Sequence, residues 1–373
     1  MQGKKLGFGC MRLPLIDPND GGNIDIQLLE QMVDTFLARG FTYFDTAWMY
    51  CGNKSEETMG KVLVQRHPRG SYTLTTKLPA YMLKTPEDRD KVFFTQLERT
   101  GAGFFDYYLL HDVNDDSVRT FEALDCFNWI REKKAAGLIR HMGFSFHGGP
   151  QLLDRLLTEN PDMELVQLQL NYLDWESETV QARKNYEIAR KHNKQILVME
   201  PVKGGTLANV PEEVETLLKS RDPQASCASW AVRFAASLPG VEMVLSGMSD
   251  MEQLLDNTAY MDDFRPLTRE EMDLCHRCAQ IINRKTAIPC TGCAYCVVSC
   301  PANICIPQYF SVYNADQREA VQAGWNSQFN YFGNLTVHFG KPSDCVGCGR
   351  CEQMCPQHLP IREYLKDVTK RFE

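Results

Sequence analysis

Two short runs carry four cysteines each: Cys290, Cys293, Cys296 and Cys300 in CTGCAYCVVSCP, and Cys345, Cys348, Cys351 and Cys355 in CVGCGRCEQMCP. In both, the thiols fall at intervals of three, three and four, and a proline follows, Pro301 or Pro356. A [4Fe–4S] cube needs four thiolates around one compact body, and Cys-x2-Cys-x2-Cys lets a single tight loop wrap three of its corners. The fourth thiolate has to come from elsewhere in the chain. Structural zinc fits poorly, because such sites use two ligand pairs separated by a longer spacer. Cys275 and Cys278 share one predicted helix without a third partner and read as packing residues. Cys10, Cys51, Cys126, Cys227 and Cys305 read as isolated thiols.

A second set lies far upstream. Asp45 ends FTYFD, Tyr50 follows five residues later in AWMYCGN, Lys77 ends LTTK and His111 ends YYLLH. A strand-end Asp often caps a turn and a lone Tyr is often core, but four different titratable types at three successive strand ends point to proton chemistry. A phenol with a pKa near about 10 is a poor acid at neutral pH. A neighbouring ammonium favours phenolate, Asp45 can hold Lys77 charged and in place, and His111 can donate to an oxygen that gains charge. Such a set can protonate a carbonyl oxygen while hydride arrives at carbon.

These residues need a scaffold that brings strand ends together. Eight apolar segments, LGFGCMRLP, FTYFDTA, SYTLTTKL, FFDYYLLH, LIRHMGFSF, MELVQLQLNY, QILVMEP and VEMVLSG, alternate with helical ones. The first helix, DIQLLEQMVDTFLARG, closes on Gly40, and EDRDKVFFTQLERTG is another. Strands alternating with helices give an α/β chain with a parallel sheet, and eight of them favour a (β/α)8 TIM barrel over an open sheet. No GxGxxG follows the first strand, which weakens the dinucleotide-fold alternative. Chemistry in such a barrel sits at the C-terminal strand ends. Past Phe264–Pro266 the pattern changes, so residues 1–265 read as the barrel and 266–373 as a mostly helical module holding the cysteine runs. The stretch between the runs, including YFSVYNADQREAVQAGWNSQFNYF, reads as helical and long enough to dock on the barrel.

Composition narrows the class. The chain has 373 residues, 24 % of them charged, and a formal charge of −8, so no basic footprint for nucleic acid is present. The start MQGKKLGFGCMRLP lacks a signal-peptide apolar core, and no apolar stretch approaches the roughly 20 residues that cross a bilayer. The expectation is a cytoplasmic protein with no membrane partner, and tight cysteine runs in such a chain read as cluster ligands.

The cysteine runs resemble those of two-cluster ferredoxins, in which the fourth Cys of each run ligates the other cluster. That resemblance implies two [4Fe–4S] clusters, one on Cys290, Cys293, Cys296 and Cys355, the other on Cys345, Cys348, Cys351 and Cys300. The upstream part, roughly residues 5 to 260, resembles the aldo-keto reductase family through FDTAWMY, TTKL and LLHD, and then GFS, VQLQLN, EPVKGG and SGMSDMEQLLDN. This resemblance implies nicotinamide-dependent carbonyl reduction of a small-molecule substrate, with Tyr50 as acid, Lys77 and Asp45 as tuners and His111 as orienter. It further implies that Ser145 and Gln167 hold the nicotinamide carboxamide, that Gly9, Cys10 and Met11 line the reactive end, and that Asn171, Lys203, Gln253 and Asn257 belong to the cofactor cleft. Five positions depart from the family: Phe146 stands where an Asn is common, Met199 where a ring stacks, and Gly247, Met248 and Gln253 where NADPH-specific members carry cations. Lys203 could partly replace those cations. NADPH, NADH and a flavin all stay open. Clusters move single electrons and nicotinamide moves a pair, which leaves three readings: a reductase whose clusters exchange electrons with a carrier protein, a reductase with structural clusters, or a non-catalytic electron-transfer or binding protein.

Overall fold

The computed structural model describes residues 4–17, 20–284, 287–290, 292–319, 324–355 and 357–373. Eight parallel strands close into a barrel: β1 (Leu6–Gly9), β2 (Tyr43–Asp45), β3 (Thr73–Pro79), β4 (Phe105–Val113), β5 (Ile139–Phe146), β6 (Leu165–Gln169), β7 (Gln195–Met199) and β8 (Val241–Gly247). Each pairs with its sequence neighbour, and β1 returns to β8 through Leu6↔Val244 and Gly9↔Gly247. The (β/α)8 expectation therefore holds. The strands are shorter at the edges than the apolar segments suggest; FTYFDTA contributes only Tyr43–Asp45.

Alternation along the strands separates two cores. Phe8, Phe44 and Leu74 point out and pack under the helices, where Phe36 of the helix Ile26–Ala38 meets Phe8 and Phe44. Tyr43, Tyr107, Leu109, Leu165, Leu197, Met243 and Leu245 fill the barrel interior. Two residues beyond Tyr43, Asp45 faces the same interior, and the apolar plug beneath it closes the site from below. At Gly143 on β5 a Cβ would stand 2.2 Å from the Leu165 carbonyl oxygen, so β5 and β6 approach as only glycine permits.

Local signals set the helices. Thr85 and Asp88 form a capping box at the start of Pro86–Thr100, which ends at left-handed Gly101 (φ 66°). The helix Ile26–Ala38 is followed by left-handed Gly40. Another capping box, Thr268 with Glu271, opens the helix Arg269–Asn283. This helix lies beyond the expected boundary at 265/266 yet packs on the barrel: Cys275 and Cys278 are fully buried, and His276 meets the Phe234 ring at 5.6 Å.

The tail carries the helices Ile306–Gln317, Gln328–His338 and Ile361–Phe372 with short turns at the cysteines. The expected helical stretch between the runs is thus two helices, and residues 320–323 within it lie outside the described residues. The Gln328–His338 helix lies across the C-terminal ends of the barrel strands. Asn330 Nδ2 donates to Asp112 Oδ1 at 3.3 Å, Asn334 Nδ2 to the His147 carbonyl at 2.7 Å, and Tyr331 OH to Gln169 Oε1 at 3.0 Å. Further contacts come from the end of the preceding helix, where the Arg318 carbonyl accepts from Thr206 Oγ1 at 3.2 Å. No described helix is long and apolar enough to cross a membrane.

Candidate active site and cluster sites

At the barrel mouth the four upstream residues converge. Lys77 is fully buried, forms an ion pair with Asp45, and donates to the Thr46 carbonyl at 2.9 Å. Its Nζ stands 3.4 Å from Tyr50 OH and 4.9 Å from the Tyr50 ring centre. His111 meets Tyr50 edge-on, with ring centres 5.9 Å apart. Strand register brings three of these groups to neighbouring strand ends, since Asp45 pairs with Gly9 and Thr75, Lys77 lies two residues past Thr75 and His111 pairs with Pro79, while Tyr50 opens the short helix Tyr50–Asn53.

The electrostatics differ in one respect from the simple expectation. Burial opposes the charge on Lys77, but Asp45 and then Tyr50 outweigh it and hold the ammonium above its ordinary range. Burial pushes the Tyr50 phenol up, and Lys77 pulls it down without overcoming that rise. Tyr50 therefore keeps its proton at neutral pH, beside the cation that stabilises it once the proton leaves. Burial, followed by the nearby Lys77 and His147, drives His111 well below the ordinary histidine range, so it is a neutral imidazole. Its Nδ1 is buried and has no partner among the described residues.

The residues placed by resemblance in a cofactor cleft divide into two groups. Ser145 and Gln167 are register partners facing inward, and Gln167 Nε2 reaches Asp45 Oδ2 at 3.2 Å. Gly9, Cys10 and Met11 border the same mouth, with the Cys10 backbone N–H donating to the Asp45 carbonyl at 2.8 Å. The others hold the loops. Asn171 donates to Asp174 Oδ2 at 2.8 Å and to the Glu200 carbonyl at 3.0 Å. Gln253 donates to Asp250 at 2.7 Å in the turn that opens the helix Met251–Asp262. Asn257 donates to Ser246 Oγ at 2.8 Å. Lys203 corrects the expectation set for it: it is buried, and its charge is matched by Asp174 at 2.6 Å, leaving no free cation for a phosphate.

Three residues outside the candidate set also stand at this mouth. Arg12 crosses above Gly247 and pairs with Glu200 at 3.2 Å. Glu319, from the tail, reaches within 3.7 Å of Lys203 and fills the space a side chain at Gly204 would need. Asp112, next to His111, adopts a left-handed backbone (φ 56°). The LLHD motif held Asp112 in plain view; Arg12 and Glu319 had no signal, because only the fold brings them near the strand ends.

A cavity of about 450 Å³ opens from this mouth. Barrel residues Met49, Tyr81, His111 and Asp112 line one side, and Phe329, Asn330 and Asn334 of the tail line the other.

In the tail, the cysteines surround two voids. Cys290, Cys293, Cys296 and Cys355 line one, walled by Ile306, Phe310, Leu359 and Ile361. Cys300, Cys345, Cys348 and Cys351 line the other, with Ile304, Ile306 and Leu365. Both loops turn through left-handed residues at equivalent positions, Gly292 and Ala294 in one and Gly347 and Gly349 in the other. Four thiols around an apolar-walled void suit a thiolate-bound cluster, and the Ile304 N–H at 3.4 Å from Cys300 Sγ adds a donor toward sulfur. Pro301 opens the turn after the first run; Pro356 lies outside the described residues.

Fold, mouth and paired cysteine loops together define a barrel oxidoreductase joined to an iron–sulfur module. The Aldo/keto reductase family model matches residues 5–280 and the 4Fe-4S dicluster domain model residues 289–359. The chain belongs to the aldo-keto reductase family and carries a C-terminal 4Fe-4S dicluster domain. It is 23 % identical over 300 residues to an uncharacterized oxidoreductase, YqkF, of Bacillus subtilis, covering 72 % of this chain and 90 % of that one. An aldo-keto reductase of Bacillus halodurans in its holo form superposes with a TM-score of 0.60 at 22 % identity, over 74 % of this chain and 93 % of that one. An aldo-keto reductase from Klebsiella pneumoniae in complex with NADPH gives 0.57 at 19 % identity, over 74 % and 95 %. At these identities the structural likeness shows the fold.

Proposed function

We propose that this oxidoreductase reduces a carbonyl substrate at Tyr50, uses a nicotinamide dinucleotide as hydride source, and holds two [4Fe–4S] clusters through which it exchanges electrons with a carrier protein. The observation that carries the reading is the buried Asp45–Lys77–Tyr50 chain, ending in a protonated phenol beside neutral His111 at the rim of a cavity walled by the tail. When bound, nicotinamide supplies a hydride and the clusters supply single electrons. Tyr50 gives its proton to the substrate oxygen, Lys77 stabilises the phenolate left behind, and Asp45 keeps Lys77 charged. The neutral His111 ring, which lines the cavity, offers an N–H to that oxygen. The inward hydroxyl of Ser145 and amide of Gln167 match the donor and acceptor pattern of a carboxamide, and Gly9, Cys10 and Met11 border it. Cys290, Cys293, Cys296 and Cys355 would hold one cluster; Cys345, Cys348, Cys351 and Cys300 would hold the other.

The test is oxygen-free purification with iron and sulfide analysis, followed by titration with NADH and NADPH while cluster absorbance is followed. About eight iron per chain are expected for two four-iron clusters. Bleaching by a nicotinamide shows that barrel and module communicate, whereas colourless, iron-poor protein removes the electron-carrying part. Tyr50→Phe is expected to lower aldehyde reduction by roughly 10²–10⁴-fold with cluster absorbance intact; unchanged turnover removes the acid role.

A further inference from the structure

The cavity beside His111 has a chemical bias that the general reading leaves unused. Among the described residues that line it there is no lysine or arginine. Its polar wall consists of carboxylates (Asp112, Asp116), amides (Asn114, Asn330, Asn334), hydroxyls such as Ser117, the Tyr81 phenol and the His111 imidazole. Asp112 is the focus of that wall. Its backbone sits in the left-handed region at φ 56°, where a non-glycine residue is strained and persists only when its surroundings impose it. They do: the Asp112 N–H donates to Ser145 Oγ at 2.7 Å, and its carbonyl accepts from Ser117 Oγ at 2.6 Å. Oδ1 accepts from Asn114 Nδ2 at 3.2 Å and, across the domain junction, from Asn330 Nδ2 at 3.3 Å. Among the described residues nothing bonds Oδ2. Of the two amides that hold Asp112, Asn114 has its oxygen taken by the Asp116 and Ser117 N–H groups, whereas among the described residues none donates to the oxygen of Asn330 or of nearby Asn334, which remain acceptors.

We propose that Asp112 is a specificity-determining residue and that it binds an O–H or N–H donor of the substrate, so that the cavity takes carbonyl compounds bearing hydroxyl or ammonium groups and rejects carboxylates and phosphates. This rests on the carbonyl-reductase reading for the reaction, but not for the binding preference. An acceptor-rich wall without a cation leaves an anionic substituent unpaired beside Asp112 and Asp116, whereas a donor meets Oδ2 in a charge-assisted bond. The Gln328–His338 helix shares in this selectivity, because Asn330 fixes the carboxylate from the module side.

The test uses the full chain with its clusters, purified without oxygen. Ligand-observed NMR is run with four non-reactive probes: serinol, glycerol, propan-1-ol and lactate. Serinol and glycerol are expected to bind at least roughly tenfold more tightly than propan-1-ol and lactate, the scale of a hydrogen bond to a charged group. The D112N variant is expected to compress that spread to within about threefold. Asparagine tolerates the left-handed backbone and keeps an oxygen for both amides, so this variant is built to fold; N330A tests the same carboxylate from the other domain and is expected to narrow the spread partway. Lactate binding as tightly as serinol, no binding of either donor-bearing probe, or an unchanged order in D112N would each overturn the proposal. Turnover of glyceraldehyde and succinic semialdehyde with NADPH or NADH separates the two claims. Reduction of neither aldehyde, with the binding order intact, sinks the reductase reading and leaves Asp112 standing. A preference for the semialdehyde sinks Asp112 and leaves the reductase reading standing.

Discussion

The barrel and the module reach order by different physical routes. The barrel closes its own hydrogen bonds through eight paired strands and fills its interior with side chains, so its polar site rests on a packed apolar plug. Among its described residues the module has three helices of ten or more residues, and it exposes apolar side chains at its cysteine loops: Val298 is 93 % and Val346 70 % exposed. Each loop instead turns around a void lined by thiols. The module buries Tyr309, Phe310, Val312, Leu365 and Val368 between its helices, but its cysteine loops are expected to depend on what the thiols bind. The candidate site lies where they meet, with its titratable residues from the barrel and one wall from the module.

The largest break in this comparison should come from removing iron. Chelation after oxidation of the clusters takes away the body around which both loops fold, and folding energy of a metal-organised domain is largely ligand energy. The module is expected to lose its helical signal and become open to protease near residues 290–300 and 345–355, while a resistant barrel fragment survives. Measuring both by circular dichroism and mass spectrometry checks it; a module that stays resistant without iron would mean that its apolar contacts suffice.

Within the barrel, Lys77→Met leaves Asp45 buried without its counter-charge. That change is expected to cost about 3–5 kcal/mol in denaturant unfolding of the barrel, with cluster absorbance little altered. Gly143→Ala asks a purely steric question in the same half. A methyl 2.2 Å from the Leu165 carbonyl forces β5 and β6 apart, at a cost of about 3 kcal/mol on the scale of overpacked cores. Equal loss of stability in both halves after either change would contradict their separate origins.

How much of this was visible in the chain follows the same division. Short apolar runs that close on a polar residue pointed to Asp45, which ends β2, and to Lys77, which lies two residues before the end of β3. Cysteine spacing grouped the thiols, because a cube fixes which loop can wrap it. The Arg269–Asn283 helix was harder to assign: its polarity resembles the tail, and only Cys275, Cys278 and His276 packed on the barrel show its side. Lys203 misled for a related reason. A lysine near glycines reads as a phosphate contact, but Asp174, 29 positions earlier in the chain, claims it. Arg12 and Glu319 act through long-range placement, which no local pattern encodes.

The smallest effect is expected at the junction itself, from Glu319. Its carboxyl is driven up to about 7, first by burial and then by Glu200 and Asp174, against the pull of Lys203 and the hydrogen bond from Gln328. Arg12 and Arg318 also face it. With its folded pKa above the unfolded one, the folded chain binds more protons than the unfolded chain between about 4.5 and 7. Stability contributed by this group is therefore present below that window and lost as pH rises through it. Replacing Glu319 with Gln keeps the hydrogen-bonding shape and removes the titration. The difference in melting temperature between wild type and E319Q, followed from pH 5 to 8 with the clusters loaded, is expected to change by the equivalent of about 1–2 kcal/mol, with E319Q favoured at the upper end. A pH-independent difference would mean that Glu319 stays ionised at the junction, held by Lys203 as Asp174 is.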